Sequence, residues 1–267
     1  MRRCKLPALV FALLLVFGCS NDSSGDGGDD DYDGLSVSEA AVYVRQMTAS
    51  ETVYVSDSVN GEGLWDLVDA LHALYESSPD VRVTLDFSGM KKLTYLARGA
   101  FASCYALKAV VLPDTLATIN GAAFYDCENL TKVSIPDTCT SISSSAFHDC
   151  KSLKSITIPS DLEYLAEYTF YGCTSLVTVN FPDQIQEIAS YAFQDCTALS
   201  SVTLPKWLGT LQQMAFKGCT ALSKVTFDWP DDYYIGDEKI DVTDPSTNAT
   251  NLKNDGTWFE KTISRKW

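Results

Sequence analysis

The residues in this chain best equipped for covalent or acid–base chemistry are its nine cysteines and two histidines, His72 and His148. Hydrolysis needs a nucleophile, a base and an orienting group in one pocket, and no G-x-S-x-G, P-loop or H-E-x-x-H motif is present. His72 falls in an amphipathic stretch with Asp69 and Glu76 at neighbouring helical positions, and that face reads as solvated. His148 shares its position, at fixed spacing, with Tyr125, Tyr171, Gln194 and Lys217; chemistry that varies this freely predicts a solvent-facing column. Six cysteines (Cys104, Cys127, Cys150, Cys173, Cys196 and Cys219) are 23 residues apart, whereas zinc motifs need short C-x-x-C-type pairs. No catalytic residue, metal or cofactor is expected. Adjacent strands about 4.7–4.9 Å apart leave disulfides open on distance, but parallel side-chain directions favour reduced, buried thiols. Cys139 stands in a slot otherwise filled by Leu or Ile, so the interior takes a thiol as a small hydrophobe.

The spacing of the thiols is the spacing of everything around them. Each follows a phenylalanine by three residues (Phe101, Phe124, Phe147, Phe170, Phe193, Phe216) and precedes a leucine by three (Leu107, Leu130, Leu153, Leu176, Leu199, Leu222). That leucine opens an L-x-x-V-x-L run such as Leu107, Val110 and Leu112, the strand signature of a leucine-rich repeat. Proline then ends the strand at Pro113, Pro136, Pro159, Pro182 and Pro205, having no N–H for the ladder. Two aliphatic slots follow, then a small residue (Ala123, Ala146, Thr169, Ala192, Ala215) that lets the backbone pass closely before the next phenylalanine. The fold class is an α/β solenoid of six 23-residue coils over 90–227, with an N-terminal α/β cap and a small C-terminal cap. Such arrays bury a core only by stacking, so both ends need lids.

For the first lid, over 35–89, Ser36-Val37-Ser38-Glu39 forms a capping box opening a helix to about Met47. A strand over Thr52–Ser56, the turn Asn60-Gly61, a helix carrying Leu64, Leu67, Val68, Leu71 and Leu74, and a strand over Val81–Phe87 complete a parallel βαβ unit whose last strand joins the solenoid sheet. In the second, over 228–267, a hairpin pairs Tyr233–Ile235 with Lys239–Val242. Asp244-Pro245 caps a short helix to about Lys253, and Phe259, Ile263 and Trp267 share one face of a final strand.

Residues 1–18 read as an export signal: a basic start (Arg2, Arg3, Lys5), an apolar run from Ala8 to Phe17 too short to span a bilayer, then Gly18 and Cys19. Val16-Phe17-Gly18-Cys19 resembles the lipobox of bacterial lipoproteins, which makes Cys19 the lipidation residue and mature N-terminus; ordinary cleavage without an anchor is the alternative. Residues 19–34, rich in Asp, Ser and Gly, form a disordered acidic tether. Asp29, Asp31, Asp33 and Gly34 fit half of a calcium loop, but Ala40 falls at position twelve, favouring a solvated spacer. The formal net charge is −15 and no basic stripe is visible, which argues against nucleic acid as a partner.

The pattern from Ile135-Pro136 through Phe147, Cys150, Leu153 and Ile156 to Ile158-Pro159, in six tandem copies, resembles the BspA-like family of bacterial surface leucine-rich-repeat proteins. The flanks Val83-Thr84-Leu85-Asp86-Phe87-Ser88-Gly89 and Val242-Thr243-Asp244-Pro245-Ser246 are similar to those of spirochaete members. The resemblance implies a lipoprotein anchored at the cell envelope, at the outer-membrane surface or its periplasmic face. For some members it implies adhesion to extracellular-matrix proteins or to other bacteria.

Two function classes follow: a non-enzymatic binding module for a protein partner, and a passive structural component of the envelope. Strand-face columns are small and polar (Ser134, Thr157, Asn180, Thr203, Thr226) and decide nothing. An aromatic patch in the fourth and fifth coils favours binding: Tyr164, Tyr168 and Tyr171 in one coil, Tyr191 in the column of Tyr168, and Trp207 beyond. Ala122 and Met214 share the Tyr168 column, and the opposing reading is that Tyr168 and Tyr191 pack against their neighbours.

Overall fold

The computed structural model describes residues 34–265 apart from 57–58, 61–62, 229–232, 254–257 and 259–260. Cys19, the signal and nearly all of the tether, with Asp29, Asp31 and Asp33 of the half calcium loop, therefore lie outside the described residues, as do Gly61, Phe259 and Trp267.

The chain enters through α1 (Val37–Arg45), opened by the expected capping box: the Ser36 side chain accepts from Glu39 N–H while the Glu39 carboxylate accepts from Ser36 N–H. β1 (Glu51–Tyr54), α2 (Trp65–Ser77) and β2 (Val83–Asp86) form the βαβ unit, β1 and β2 pairing in parallel. β2 then pairs in parallel with β4 (Leu107–Val111), so the cap's sheet and the first coil's strand are one ladder. His72 departs from expectation. Its ring turns from solvent onto the first coil, with Nε2 3.3 Å from the Ala102 carbonyl and 3.5 Å from Cys104 Sγ. A helix that lids a coil needs a side chain satisfying that coil's open backbone, and this one supplies it.

Hydrogen bonds join successive coils along three segments. On the strand side run β4, β6 (Lys132–Ser134), β8 (Ser155–Thr157), β10 (Thr178–Asn180), β12 (Ser201–Leu204) and β14 (Lys224–Phe227), all parallel where paired. A second parallel ladder, not foreseen and in two runs, pairs two-residue strands: β3 (Tyr95–Leu96), β5 (Thr118–Ile119) and β7 (Ser141–Ile142), then β9 (Tyr164–Leu165), β11 (Glu187–Ile188) and β13 (Thr210–Leu211). Two residues are too few to show a period, so sequence reports only an aliphatic slot there.

On the turn side, N–H groups point to the next coil: Phe124 to Ala146 O (2.8 Å) and Phe147 to Thr169 O (2.9 Å), which is the close approach the small slot permits. Two residues after each phenylalanine the backbone is left-handed: φ is 56° at Ser103, 57° at Asp126, 56° at Asp149, 69° at Gly172, 60° at Asp195 and 75° at Gly218. That turn aims the N–H forward, as from Asp149 to Tyr171 O at 2.7 Å. Only Gly, Asp and Ser occupy the column, and Gly and Asp are among the residues that enter this region at least cost.

The core is a stack of rings and thiols. Phe101, Phe124, Phe147, Phe170, Phe193 and Phe216 stack with centroids 5.2–5.5 Å apart and planes within 13°. Beside them each thiol donates to a carbonyl of the preceding coil: Cys127 to Phe101 O (2.9 Å), Cys150 to Phe124 O (3.2 Å), Cys173 to Phe147 O (3.2 Å), Cys196 to Phe170 O (3.1 Å) and Cys219 to Phe193 O (3.1 Å). All seven thiols of the described residues are free and buried. Burial pushes Cys127 up to about 12 and Cys139 to about 11, far from any nucleophilic range.

The C-terminal segment keeps the expected order of hairpin, helix and strand, but the hairpin's second strand is Glu238–Lys239 rather than Lys239–Val242. β15 (Tyr233–Ile235) pairs antiparallel with β16 (Glu238–Lys239), α3 (Pro245–Leu252) starts at the Asp244 cap, and Ile263 is buried in β17 (Ile263–Arg265). β17 lies antiparallel on β13, so this lid closes the second ladder while α3 packs against β14.

Candidate binding surface

Immediately before the left-handed column lies the column of Tyr125, His148 and Tyr171. Successive coils bring these side chains face to face, with centroids 4.7 Å (Tyr125–His148) and 4.5 Å (His148–Tyr171) apart. Tyr168 meets Tyr171 at 6.0 Å, tilted by 52°, and stacks on Tyr191 at 4.7 Å within 8°. Five rings thus form one continuous ridge along the turn side. Of the sequence candidates, Tyr168, Tyr171 and Tyr191 are brought together. Tyr164 stands apart on β9, 45% exposed, and Trp207, 43% exposed, has Lys206 Nζ 5.2 Å from its ring centre. Tyr125 and His148 are the members that column reading missed: judged by variability alone, the column hid that three consecutive coils carry a ring.

Tyr168 and Tyr191 hold φ of 57° and 63°, in a column where Gly99, Ala122, Ser145 and Met214 are also left-handed. For a bulky L-residue this region costs on the order of 1–2 kcal/mol each, and such strain concentrates at functional sites. Mutual stacking offsets part of it: the two tyrosines pack on each other, and each stays partly exposed.

Carboxylates line the ridge. Tyr171 hydrogen-bonds Asp195, and the Tyr105 hydroxyl donates to Asp126 at 2.5 Å. Burial first, then Asp195 and more weakly Asp149, raises the pKa of the Tyr171 phenol. Asp149 Oδ2 lies 3.1 Å from His148 Nδ1, a buried nitrogen with no other polar partner among the described residues. His148 therefore departs from expectation: its side chain is only 15% exposed. Burial between two rings holds its pKa below 6.5, with Asp149 and Asp126 opposing more weakly. A histidine that folding makes harder to protonate contributes nothing above its unfolded pKa, and it destabilises progressively as pH falls below that value. Thermal melts at pH 7.5 and 5.5 should show wild type losing a few degrees more than His148→Gln. Parallel pH profiles would contradict this assignment.

No group of three or more His, Cys, Asp or Glu side chains among the described residues is arranged to hold a metal. Among the same residues, no helix is long and apolar enough to cross a membrane.

A family model described as "BspA type Leucine rich repeat region" matches six copies over residues 94–223. A leucine-rich-repeat protein of T. pallidum is 33% identical over 54% of this chain and 69% of its own, with a TM-score of 0.50. The chain belongs to the BspA-type leucine-rich-repeat family. A leucine-rich cell surface protein of Faecalibacterium prausnitzii is 29% identical with a TM-score of 0.51; the match covers 70% of this chain and only 45% of that longer protein. No curated protein matches this BspA-type chain. Repeats of this class are scaffolds for protein interaction and are typically non-enzymatic.

Proposed function

We propose that this BspA-type protein is an exported, non-enzymatic surface protein that binds a protein partner, adhesin-like, through the aromatic ridge on its turn side. The observation that carries the reading is the pair Tyr168 and Tyr191, held half-exposed at left-handed φ within a run of five rings. Tyrosine in a desolvated, rigid setting is a typical interface hot spot. Among the described residues, the strand face carries small, polar and lysine side chains and no run of stacked rings. The neighbour described as a cell surface protein supports the location. The proposed partners are host-matrix or bacterial-surface proteins.

Tyr168→Gly with Tyr191→Gly tests the reading without breaking the fold, because glycine accepts the left-handed backbone and already occupies the column at Gly99. Partners captured by the full chain from matrix and bacterial-surface extracts should bind the double variant at least roughly tenfold more weakly. The melting temperature should stay the same or rise. Undiminished affinity would return both tyrosines to a packing role and favour a passive envelope component.

Anchoring through lipid on Cys19 is part of the same proposal, resting on the basic start, the apolar run and Gly18-Cys19. After export, wild type should enter the detergent phase and Cys19→Ser the aqueous phase. Aqueous partitioning of both would remove the anchor.

A further inference from the structure

The strand face bears a charge opposite to that of the molecule. Lys108, Lys132 and Lys154 are far apart in sequence but fall on three successive coils. Thr131 N–H donates to Lys108 O at 2.8 Å, Lys132 lies beside Ala109 in the β4–β6 ladder, and Lys154 occupies the Lys108 column two coils on. With neighbouring strands about 4.8 Å apart, the three ammonium groups fall within roughly 10 Å along the array. All three are exposed, and among the described residues none has a carboxylate at ion-pair distance, whereas nearby Lys151 is neutralised by Glu128 at 2.5 Å. Arg82 continues the set, lining a surface pocket with Lys108, Ser50, Glu51, Thr52 and Thr84. Glu51 accepts from the Tyr43 hydroxyl at 2.6 Å, and Asp86 accepts from Ser88 N–H at 2.9 Å. The absence of a linear basic stretch therefore does not extend to the folded surface: the coil period assembles a basic patch from single lysines that sequence shows as scattered.

We propose that this patch is a binding site for a sulfated polysaccharide. Sulfates along a flexible chain match point charges on successive coils, and the outward strand positions between them (Ala109, Ser134, Thr157) are small enough to let a sugar backbone lie flat. Ser and Thr there offer hydroxyls to sugar hydroxyls. One aromatic ring, Tyr54, stands at the open edge, 49% exposed. It suffices to stack one sugar ring, whereas single-stranded nucleic acid takes a run of rings for successive bases. A protein partner would want buried aromatic anchors, which this face lacks. The site is built from residues other than those of the ridge and stands independently of it.

Heparin oligosaccharide, the same chain after desulfation, and a single-stranded oligonucleotide of equal charge would be titrated calorimetrically into the full chain at several salt concentrations. Lys108→Gln/Lys132→Gln/Lys154→Gln should bind heparin about tenfold or more weakly, with a salt slope lower by about two to three. Lys217→Gln on the turn side should bind like wild type, and all variants should melt alike. Equal affinity for the desulfated chain or for the oligonucleotide, or heparin binding that survives the triple substitution, overturns the proposal.

Discussion

A chain ending at Phe227 is expected to aggregate, or to melt far below the full protein. The last coil presents Leu208, Leu211, Phe216, Leu222 and Val225, all buried in the intact chain. The lid covers them with Tyr233, Val242, Ala249, Leu252, Trp258 and Ile263, likewise buried. It also satisfies backbone that stacking leaves open. Asn248 Nδ2 donates to Val225 O (3.0 Å), Lys253 Nζ to Leu222 O (2.7 Å), the Tyr233 hydroxyl to Leu208 O (3.1 Å) and Arg265 N–H to Gly209 O (2.7 Å). Each large apolar side chain is worth about 1.5–3 kcal/mol and each orphaned buried polar group about 1–3, against a total stability of about 5–15. Thermal melts followed by light scattering provide the check. A soluble truncate that melts with the full chain would show that the segment is not a lid.

Phe147→Ala should be the costliest single substitution in the array. Phe147 is stacked on both faces, 5.2 Å from Phe124 and 5.4 Å from Phe170, and is fully buried. Truncation of a ring in such a site costs about 3–5 kcal/mol. Because each coil touches only its neighbours, the gap also weakens the coupling between halves. Urea denaturation should show a lower midpoint and a broader transition, with Phe147→Leu milder. A midpoint within error of wild type would mean that the stack contributes little beyond filling space.

The architecture was legible because identical columns recur: aromatic, thiol, leucine and proline each repeat at fixed spacing, and both lids open on local signals, the Ser36 capping box and the Asp244-Pro245 start. What escaped was whatever a column shows only in three dimensions. The second ladder rests on two-residue strands. The left-handed backbone at Tyr168 and Tyr191 breaks the preference of tyrosine, so nothing in the residue announces it. His72 read as a solvated charge on a helix because the coil it covers lies 30 residues away, at Ala102. The candidate surface was half legible: tyrosines invited attention, while His148 joined them only once adjacent coils were superposed.

The thiol-to-carbonyl bonds and the phenylalanine stack give every internal junction the same contacts, whereas the outer junctions are individual, with His72 at Cys104 and Asn248 at Val225. An internal coil is therefore interchangeable goods, and an end coil is not. Gene recombination that deletes or duplicates one whole repeat between Cys127 and Cys196 meets matching partners above and below, so array length can drift by whole units under selection. A shift by any other number of residues takes the phenylalanines and thiols out of line with their counterparts above and below, and the stack is lost.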